Sequence, residues 1–590
     1  MKNCVIQRIE FLAPDFDEHQ LYVIIHGCES IKTKDNSLLI GPSSVADFGT
    51  YFNSFSIEKW IKYTTVTDYH LSITVRGQGI IQLYHAYLEG GRTVIKDIEQ
   101  IGFNAVGAED ITLNIPVFDI GMIGFRISSG DQSVELRNAF YYTDQSVRSS
   151  DIRLALAFTT YKREMYIKEN VRRILSLSDD RVHICIADNA GTLDIEPNDS
   201  LSIYKNTNSG GAGGFARNMI EIIRSKKDFT HVILMDDDVL VNPMVFERLM
   251  DFLSMVKETY SGAFVGGAML RSDQKCFHVE SGAKWIGTTV SGFGHGLDMR
   301  RLDHVLQVNS IYEVDYNAWW FCCIPVKYIR EDNLPLPLFF QWDDVDYGIR
   351  NKASVILLNG ICLWHDPFES KRSAMYTYYS TRNPMIVNGC RDNGISKKQV
   401  IKWLKKKIKS EVSLYRYEHA RAIIRAMEDF GKGPEWLCSL DADGYNKEIL
   451  KLNKPITYVA DQVDYNWYQV CCQIGDCDLL HKIIRKMTFN GYLLKADREV
   501  TLPFYAELPV QGYRAKSILF YDIASGNGFR AERSGKEALA CMRDFYIQYF
   551  RLKRVYGKIV NEYRDKYRYM SSVEMWEKYL KIPNKHSKKN

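Results

Sequence analysis

The sequence predicts a chain in three parts: an N-terminal β-sandwich, a central α/β domain built on a parallel sheet, and a mostly helical C-terminal region. Three observations predict it. Short segments of alternating polarity recur through residues 1–148 with no helical patterns between them. Continuous apolar runs alternate with helical patterns over 149–395. From residue 396 to 590 the apolar residues fall mainly at helical spacing. At 590 residues the chain is too long for one core and corresponds to roughly three or four domains.

In the first part, Leu71-Ser72-Ile73-Thr74-Val75 and Gly79-Ile80-Ile81-Gln82-Leu83-Tyr84 are typical of the short strands. Their spacing favours a sandwich or jelly-roll-like barrel. A polar linker follows, from Tyr142 through Ser150. The texture changes at Arg153. Leu154 to Thr159 is apolar throughout, as expected of a strand buried on both faces. A helical pattern runs from Glu164 to Leu177, then a strand over Val182–Ala187 and a turn over Asp188–Gly191. A glycine-rich loop leads into a helix over Phe215–Ile223, and His231–Met235 forms a third buried strand. Such β-α-β alternation places ligands at the carboxyl ends of the strands. In the last part, Lys397 to Lys409 holds seven lysines around Val400, Ile401, Leu404 and Ile408.

Composition excludes several classes. Charged residues are 25% and hydrophobic ones 46%, as in folded globular protein. A net charge of +4 gives no footprint for nucleic acid. No export signal and no run of about 18 uncharged apolar residues is found. The 13 cysteines are scattered without zinc-site spacing. These features point to a cytoplasmic protein.

Four motifs carry chemistry. Asp236-Asp237-Asp238 ends the third strand. Alternate residues of an extended chain point the same way, so Asp236 and Asp238 can share a hard cation such as Mg²⁺ or Mn²⁺. The plain alternative is an acidic loop capping the next helix. Asn208 to Arg217 contains four glycines, which let backbone approach an anion before a helix N-terminus. It is neither a Walker loop nor a dinucleotide fingerprint, and read alone it is a flexible loop. Trp342-Asp343-Asp344 sets paired acids among aromatics, a candidate general base beside a stacking platform; acids in a first helical turn are the alternative. Trp364-His365 ends another apolar strand, although a lone histidine is more often structural.

In this order the motifs resemble the inverting GT-A transferases of glycosyltransferase family 2, most closely the bacterial galactofuranosyltransferases that polymerise galactan. Gly49 to Phe55, Trp60 and Thr65-Val66-Thr67 are similar to that family's N-terminal β-domain. The resemblance implies a GT-A catalytic domain and an inverting transfer of galactofuranose from UDP-galactofuranose to a glycan hydroxyl. It implies that Asp236, Asp238 and His365 hold Mn²⁺ or Mg²⁺. Thr159, Arg163, Asp188, Asn208, Gly210, Gly211 and Asp237 match the nucleotide site. Asp344 matches the base, with Asp343 assisting. Trp319, Trp320, Trp342 and Glu280 match the acceptor side. A lipid-linked acceptor, a homo-oligomer (a tetramer) and peripheral contact with the inner face of a membrane follow from the same likeness. Tyr379 to Asn383 departs from it, lacking a histidine expected there.

Three rivals remain: a family 2 transferase for another UDP-sugar, a non-catalytic carbohydrate-binding or scaffold protein with the same fold, and a nucleotide hydrolase. The intact acids and histidine oppose the second, and the missing P-loop lysine opposes the third.

Overall fold

The backbone of the first 143 residues forms one hydrogen-bonded network of nine strands that forks around a long hairpin. The computed structural model describes residues 4–11, 18–27, 31–32, 37–146, 151–366, 372–473 and 478–582. The hairpin pairs β1 (Tyr69–Glu89) with β2 (Arg92–Ile115). Along its other edge, β1 pairs first with β4 (Val134–Thr143) and then with β3 (Met122–Ser129). One strand therefore serves two branches, each burying an alternating face. The predicted boundary at residue 148 falls outside the described residues.

The central sheet has ten strands. In chain order its main elements are β5 (Leu154–Thr160), α1 (Glu164–Leu175), β6 (Val182–Asp188), β7 (Leu201–Lys205), α2 (Gly210–Arg224), β8 (His231–Asp236) and β9 (Val239–Val241). Then follow β10 (Phe264–Arg271), β11 (Phe277–Glu280), β12 (Cys322–Pro325), α3 (Asp343–Asn351) and β13 (Val355–His365). Strands β7, β6, β5 and β8 lie side by side in parallel, as the apolar runs predict. Strand β12 is antiparallel to β8, and β10 is parallel to β13. Every residue of β6 and of β13 is buried, which explains why apolar residues predominate in both.

The glycine segment differs from the expected loop. Gly210, Gly211, Gly213 and Gly214 all lie in the first turns of α2. For Gly210, Gly213 and Gly214 the role is close contact rather than flexibility. A Cβ on Gly214 would stand 2.1 Å from the Thr159 side chain, and one on Gly210 only 1.8 Å from the Phe339 carbonyl oxygen.

The last third contains α4 (Ala374–Gly389), α5 (Lys397–Ser413), α6 (Tyr417–Phe430), α7 (Ala442–Leu450), α8 (Leu479–Met487), α9 (Gly535–Met570) and α10 (Val573–Leu580). A four-stranded sheet sits among them, built from 457–458, 498–503, 515–521 and 527–532. The sequence reading missed it. In the lysine-rich α5, Val400, Leu404 and Ile408 are fully buried, and Lys407 is drawn inward to donate to the Ser380 carbonyl. Its apolar stripe is core, so α5 is an ordinary docked helix. Among the described residues no helix is long and apolar enough to cross a membrane.

The forked sheet and the central sheet meet over a buried ion pair. Arg248 donates to Glu10 across 2.9 Å, and Asn242 donates to the other Glu10 oxygen at 2.8 Å. Nearby, Phe52 stacks on Tyr22 and lies 6.1 Å from the Trp364 ring, beside His365. The motif at 49–55 thus backs the end of β13.

Candidate active site

Strand pairing assembles the acidic centre. Strand β8 delivers Asp236 opposite Thr159 of β5. The chain turns at Asp237-Asp238 and re-enters the sheet as β9, which pairs antiparallel with β13 so that Val239 faces His365. His365 therefore arrives beside Asp238, with Nε2 3.1 Å from that carboxylate and 3.9 Å from Asp236. Its Nδ1 lies 2.6 Å from the Asp366 carbonyl oxygen, which fixes the ring.

One ligand atom from each of Asp236, Asp238 and His365 lies within 4.8 Å of the others. Two carboxylates and one imidazole suit Mn²⁺ or Mg²⁺ better than a thiophilic metal. The donor set fits the expected cation. Arg163 stands at its rim, with Nη1 2.6 Å from Asp238 and Nε 4.0 Å from Asp237. Asp237 points away from the pair. Its carboxylate accepts from the Tyr161 N–H, and burial lifts its pKa to about 6.

The nucleotide-side residues converge on the ends of β5, β6 and α2. Thr159 Oγ1 is buried with no hydrogen-bond partner, a polar atom facing the β5–α2 contact. Asp188 shapes the following turn: its oxygens accept from the N–H groups of Ala190, Gly191 and Leu193. Asn208, just before α2, accepts from the Gly210 N–H, and its amide donates to Asp443 of α7. A Cβ on Gly211 would meet only the Phe215 ring, at 3.9 Å.

The second acidic group opens α3. Asp343 is buried, Asp344 half-buried, and burial raises both carboxyls above the usual range. Repulsion from Glu280 and Asp236 pushes Asp344 further, so the two acidic groups feel each other's charge. Glu280 at the end of β11 is itself raised to about 7 by burial. The third acid of this turn, Asp346, is structural: it accepts from Arg391 at 2.6 Å and Tyr567 at 2.9 Å.

The loop before α3 is unusual. Phe339, Gln341 and Trp342 all have left-handed φ, between 64° and 73°. Such residues cost about 1–3 kcal/mol each and persist only where the surroundings hold them. The holding residues come from α4. Asn383 Nδ2 donates to the carbonyls of Leu338, Phe340 and Gln341, and Arg382 Nη2 donates to Leu338. Sequence reasoning saw this segment only as lacking a histidine; the signal available was two polar residues inside a buried helix.

The tryptophans are less open than a stacking wall suggests. Trp319 packs edge-on against Phe215 and Tyr347 and is 5% exposed, while Trp320 is 7% exposed and donates to the Gly267 carbonyl. Trp342 is 8% exposed and forms the N-cap of α3.

Comparison with known proteins fits this arrangement. The family model described as "Galactofuranosyltransferase 2 N-terminal" matches residues 13–144. Galactofuranosyltransferase GlfT2 of Mycolicibacterium smegmatis is 25% identical over 591 aligned residues, covering 92% of this chain and 90% of that protein. GlfT2 of Mycobacterium tuberculosis is 27% identical over 443 residues, covering 68% of each. With an acidic centre at the carboxyl end of a parallel sheet and relatives of this kind along most of its length, the chain is a glycosyltransferase similar to the galactofuranosyltransferases.

Proposed function

We propose that this protein moves galactofuranose from UDP-galactofuranose to a hydroxyl of a growing glycan, with a divalent metal and with inversion at the anomeric carbon. The observation that carries the proposal is the meeting of two acidic groups: the Asp236, Asp238 and His365 cluster, and the Asp344 carboxyl within reach of Asp236's charge. The two GlfT2 proteins support galactofuranose as the sugar.

In this reading Asp236, Asp238 and His365 hold Mn²⁺ or Mg²⁺, which when bound neutralises the charge gathering on the diphosphate. Thr159, Asp188, Asn208, Gly210 and Gly211 line the nucleotide, with the N-terminus of α2 toward its phosphates. Asp237 lies toward the ribose, and Arg163 shares its guanidinium between the acids and the diphosphate. On the acceptor side, Trp342 and Glu280 flank the sugar, with Trp319 and Trp320 packed behind and Asp343 assisting. Asp344 takes the proton of the acceptor hydroxyl as its oxygen bonds to the anomeric carbon. The bond from that carbon to the phosphate oxygen breaks, its electron pair leaves with UDP, and the proton stays on Asp344. A single displacement of this kind inverts the centre. A lipid-linked acceptor and a homo-oligomeric assembly belong to the same proposal.

The test is transfer from UDP-galactofuranose to synthetic acceptors, with products read by mass spectrometry and the anomeric coupling by NMR. One added hexose of inverted configuration is expected. A retained configuration, or transfer only from a different UDP-sugar, would overturn the corresponding part.

A further inference from the structure

At the end of the forked sheet from which the chain leaves for the central domain, a histidine and two aspartates come together. His70 lies in β1, opposite Asn114 of β2 on one side and Tyr142 of β4 on the other. Asp68 stands just before β1 and Asp144 just after β4, so the pairing of these strands sets both carboxylates beside the histidine. His70 Nε2 is 3.2 Å from Asp68 and 3.4 Å from Asp144. One ligand atom from each of the three lies within 4.8 Å of the others, as in the Asp236 cluster.

The ring is oriented to offer a lone pair. Its Nδ1 lies 2.8 Å from Asn114 Oδ1, an oxygen that can only accept, so the Nδ1 proton is donated there. The Tyr142 ring stacks on the imidazole at 5.0 Å. Nε2 then faces two carboxylates, and it must carry a second proton or bind a metal ion. Distance separates the two states. A charge-assisted N–H···O bond is about 2.7–2.9 Å long. Two atoms bonded at about 2.0–2.1 Å to one tetrahedral ion stand about 3.3–3.4 Å apart. His70 shows the longer spacing to both aspartates. Asp68 is itself fixed, accepting from the Thr143 hydroxyl at 2.9 Å and from the Asp144 N–H at 2.8 Å. Among the described residues neither aspartate pairs with a lysine or an arginine.

We propose that Asp68, His70 and Asp144 bind a divalent ion of the Zn²⁺ class, separate from the metal of the acidic centre. One imidazole and two carboxylates form a donor set that Zn²⁺ accepts. The position gives the ion a task. Just before Asp68 the chain is tied to the central domain, Thr65 N–H donating to the Met255 carbonyl at 2.9 Å. Just after Asp144, Gln145 reaches back to the Thr67 hydroxyl. An ion on both aspartates fastens the segment that touches the central domain to the segment that leads into it. The proposal depends neither on the sugar nor on the reaction.

The test is a Zn²⁺ titration of the full chain against a chromophoric chelator. It is run in a background of Asp236→Ala with Asp238→Ala, which removes the catalytic cluster. Adding His70→Ala or Asp144→Ala to that background should weaken one Zn²⁺ by more than about a hundredfold, beyond the range for an outer partner of a ligand. Asn114→Ala, which frees the ring without removing a ligand, should weaken it about tenfold to a hundredfold. Asp144 has a side chain 63% exposed, so its loss leaves the fold intact and keeps the test clear of misfolding. Zn²⁺ should raise the melting temperature of the background and not of its Asp144→Ala form. Zn²⁺ affinity unchanged by His70→Ala or by Asp144→Ala overturns the proposal and leaves the triad as a hydrogen-bonded ion pair.

Discussion

The side-chain amide of Asn208 donates to the carboxylate of Asp443 across 2.7 Å, joining the start of α2 to the first turn of α7, 235 residues further along the chain. A residue of the helical region thereby helps to position the start of α2, which the proposed function places at the nucleotide. Asp443→Ala should raise the donor KM about threefold to tenfold, the worth of one hydrogen bond, with kcat nearly unchanged. Asp443→Asn keeps an acceptor oxygen and should restore most of the loss. Steady-state kinetics with donor varied would decide it, and an unchanged KM in Asp443→Ala would remove Asp443 from the site.

Asn383 is the second positioning residue, because one amide serves three carbonyls of the left-handed loop. Asn383→Ala strands these groups, so we expect about 2–4 kcal/mol of lost stability by urea unfolding. Turnover should fall more than donor affinity, since the loop carries Trp342 directly into Asp343 and Asp344.

Removal of the metal gives a third expectation. Chelation should abolish transfer, and added Mn²⁺ should restore it. Asp236→Ala or Asp238→Ala should be inactive with the fold retained, as followed by circular dichroism. His365→Ala should be partly rescued at high Mn²⁺. Full turnover of the chelated wild type would defeat the assignment.

The base role proposed for Asp344 predicts a pH dependence. Burial, then the charges of Glu280 and Asp236, raise its carboxyl, and a base must be deprotonated to act. Rate should therefore rise with pH through a limb well above the ordinary carboxylate value of about 4. Glu280→Gln removes one repelling charge and should move that limb to lower pH. Asp344→Asn should cost about 10²–10⁴ in rate, with UDP affinity little changed; an inactive Asp343→Asn beside an active Asp344→Asn would reverse the roles.

Stability in acid should report on Glu411. It is buried, which by itself would raise its pKa, but Arg416 and Arg372 overcome this and hold it at about 2. A folded-state value below the unfolded one stabilises above the unfolded pKa of about 4.3 and is lost as pH falls toward 2. Glu411→Gln leaves the buried Arg416 without its carboxylate, while Arg372 keeps Glu507, and should cost about 3–5 kcal/mol at neutral pH, as measured by denaturant unfolding.

Much of this was legible in the sequence. The largely apolar runs of β5, β6 and β8 point to the parallel sheet, and Asp236 and Asp238 are marked by ending one of them. His365 could be seen closing a strand, but its place beside Asp238 depends on the pairing of β9 with β13, more than a hundred residues apart. The glycines read as a loop because composition cannot show that Gly214 must pass against Thr159. The lysines around α5 suggested a surface face, yet its apolar positions are claimed by the core. The exposed stripe on α8 has the same periodicity. Burial alone separates the two, and burial is a property of the fold. The small sheet at 457–532 was lost among helical patterns, since its strands are short and Thr457–Tyr458 pairs across some seventy residues.

The bond between Tyr567 and Asp346 has a bearing on how the protein is made. Helix α3 is tied to α9 across 221 residues of chain, and α10 then ties Trp576 to the Pro335 carbonyl and Arg224 to Glu577. Contacts at such separation form late, because closing the loop comes before any return from it. On the ribosome, the turn bearing Asp343 and Asp344 is held first by Arg382, Asn383 and Arg391, and gains the Tyr567 tie only once that residue has emerged. A nascent chain would therefore complete the central parallel strands well before the acidic turn of α3 has its last tie, the one from Tyr567.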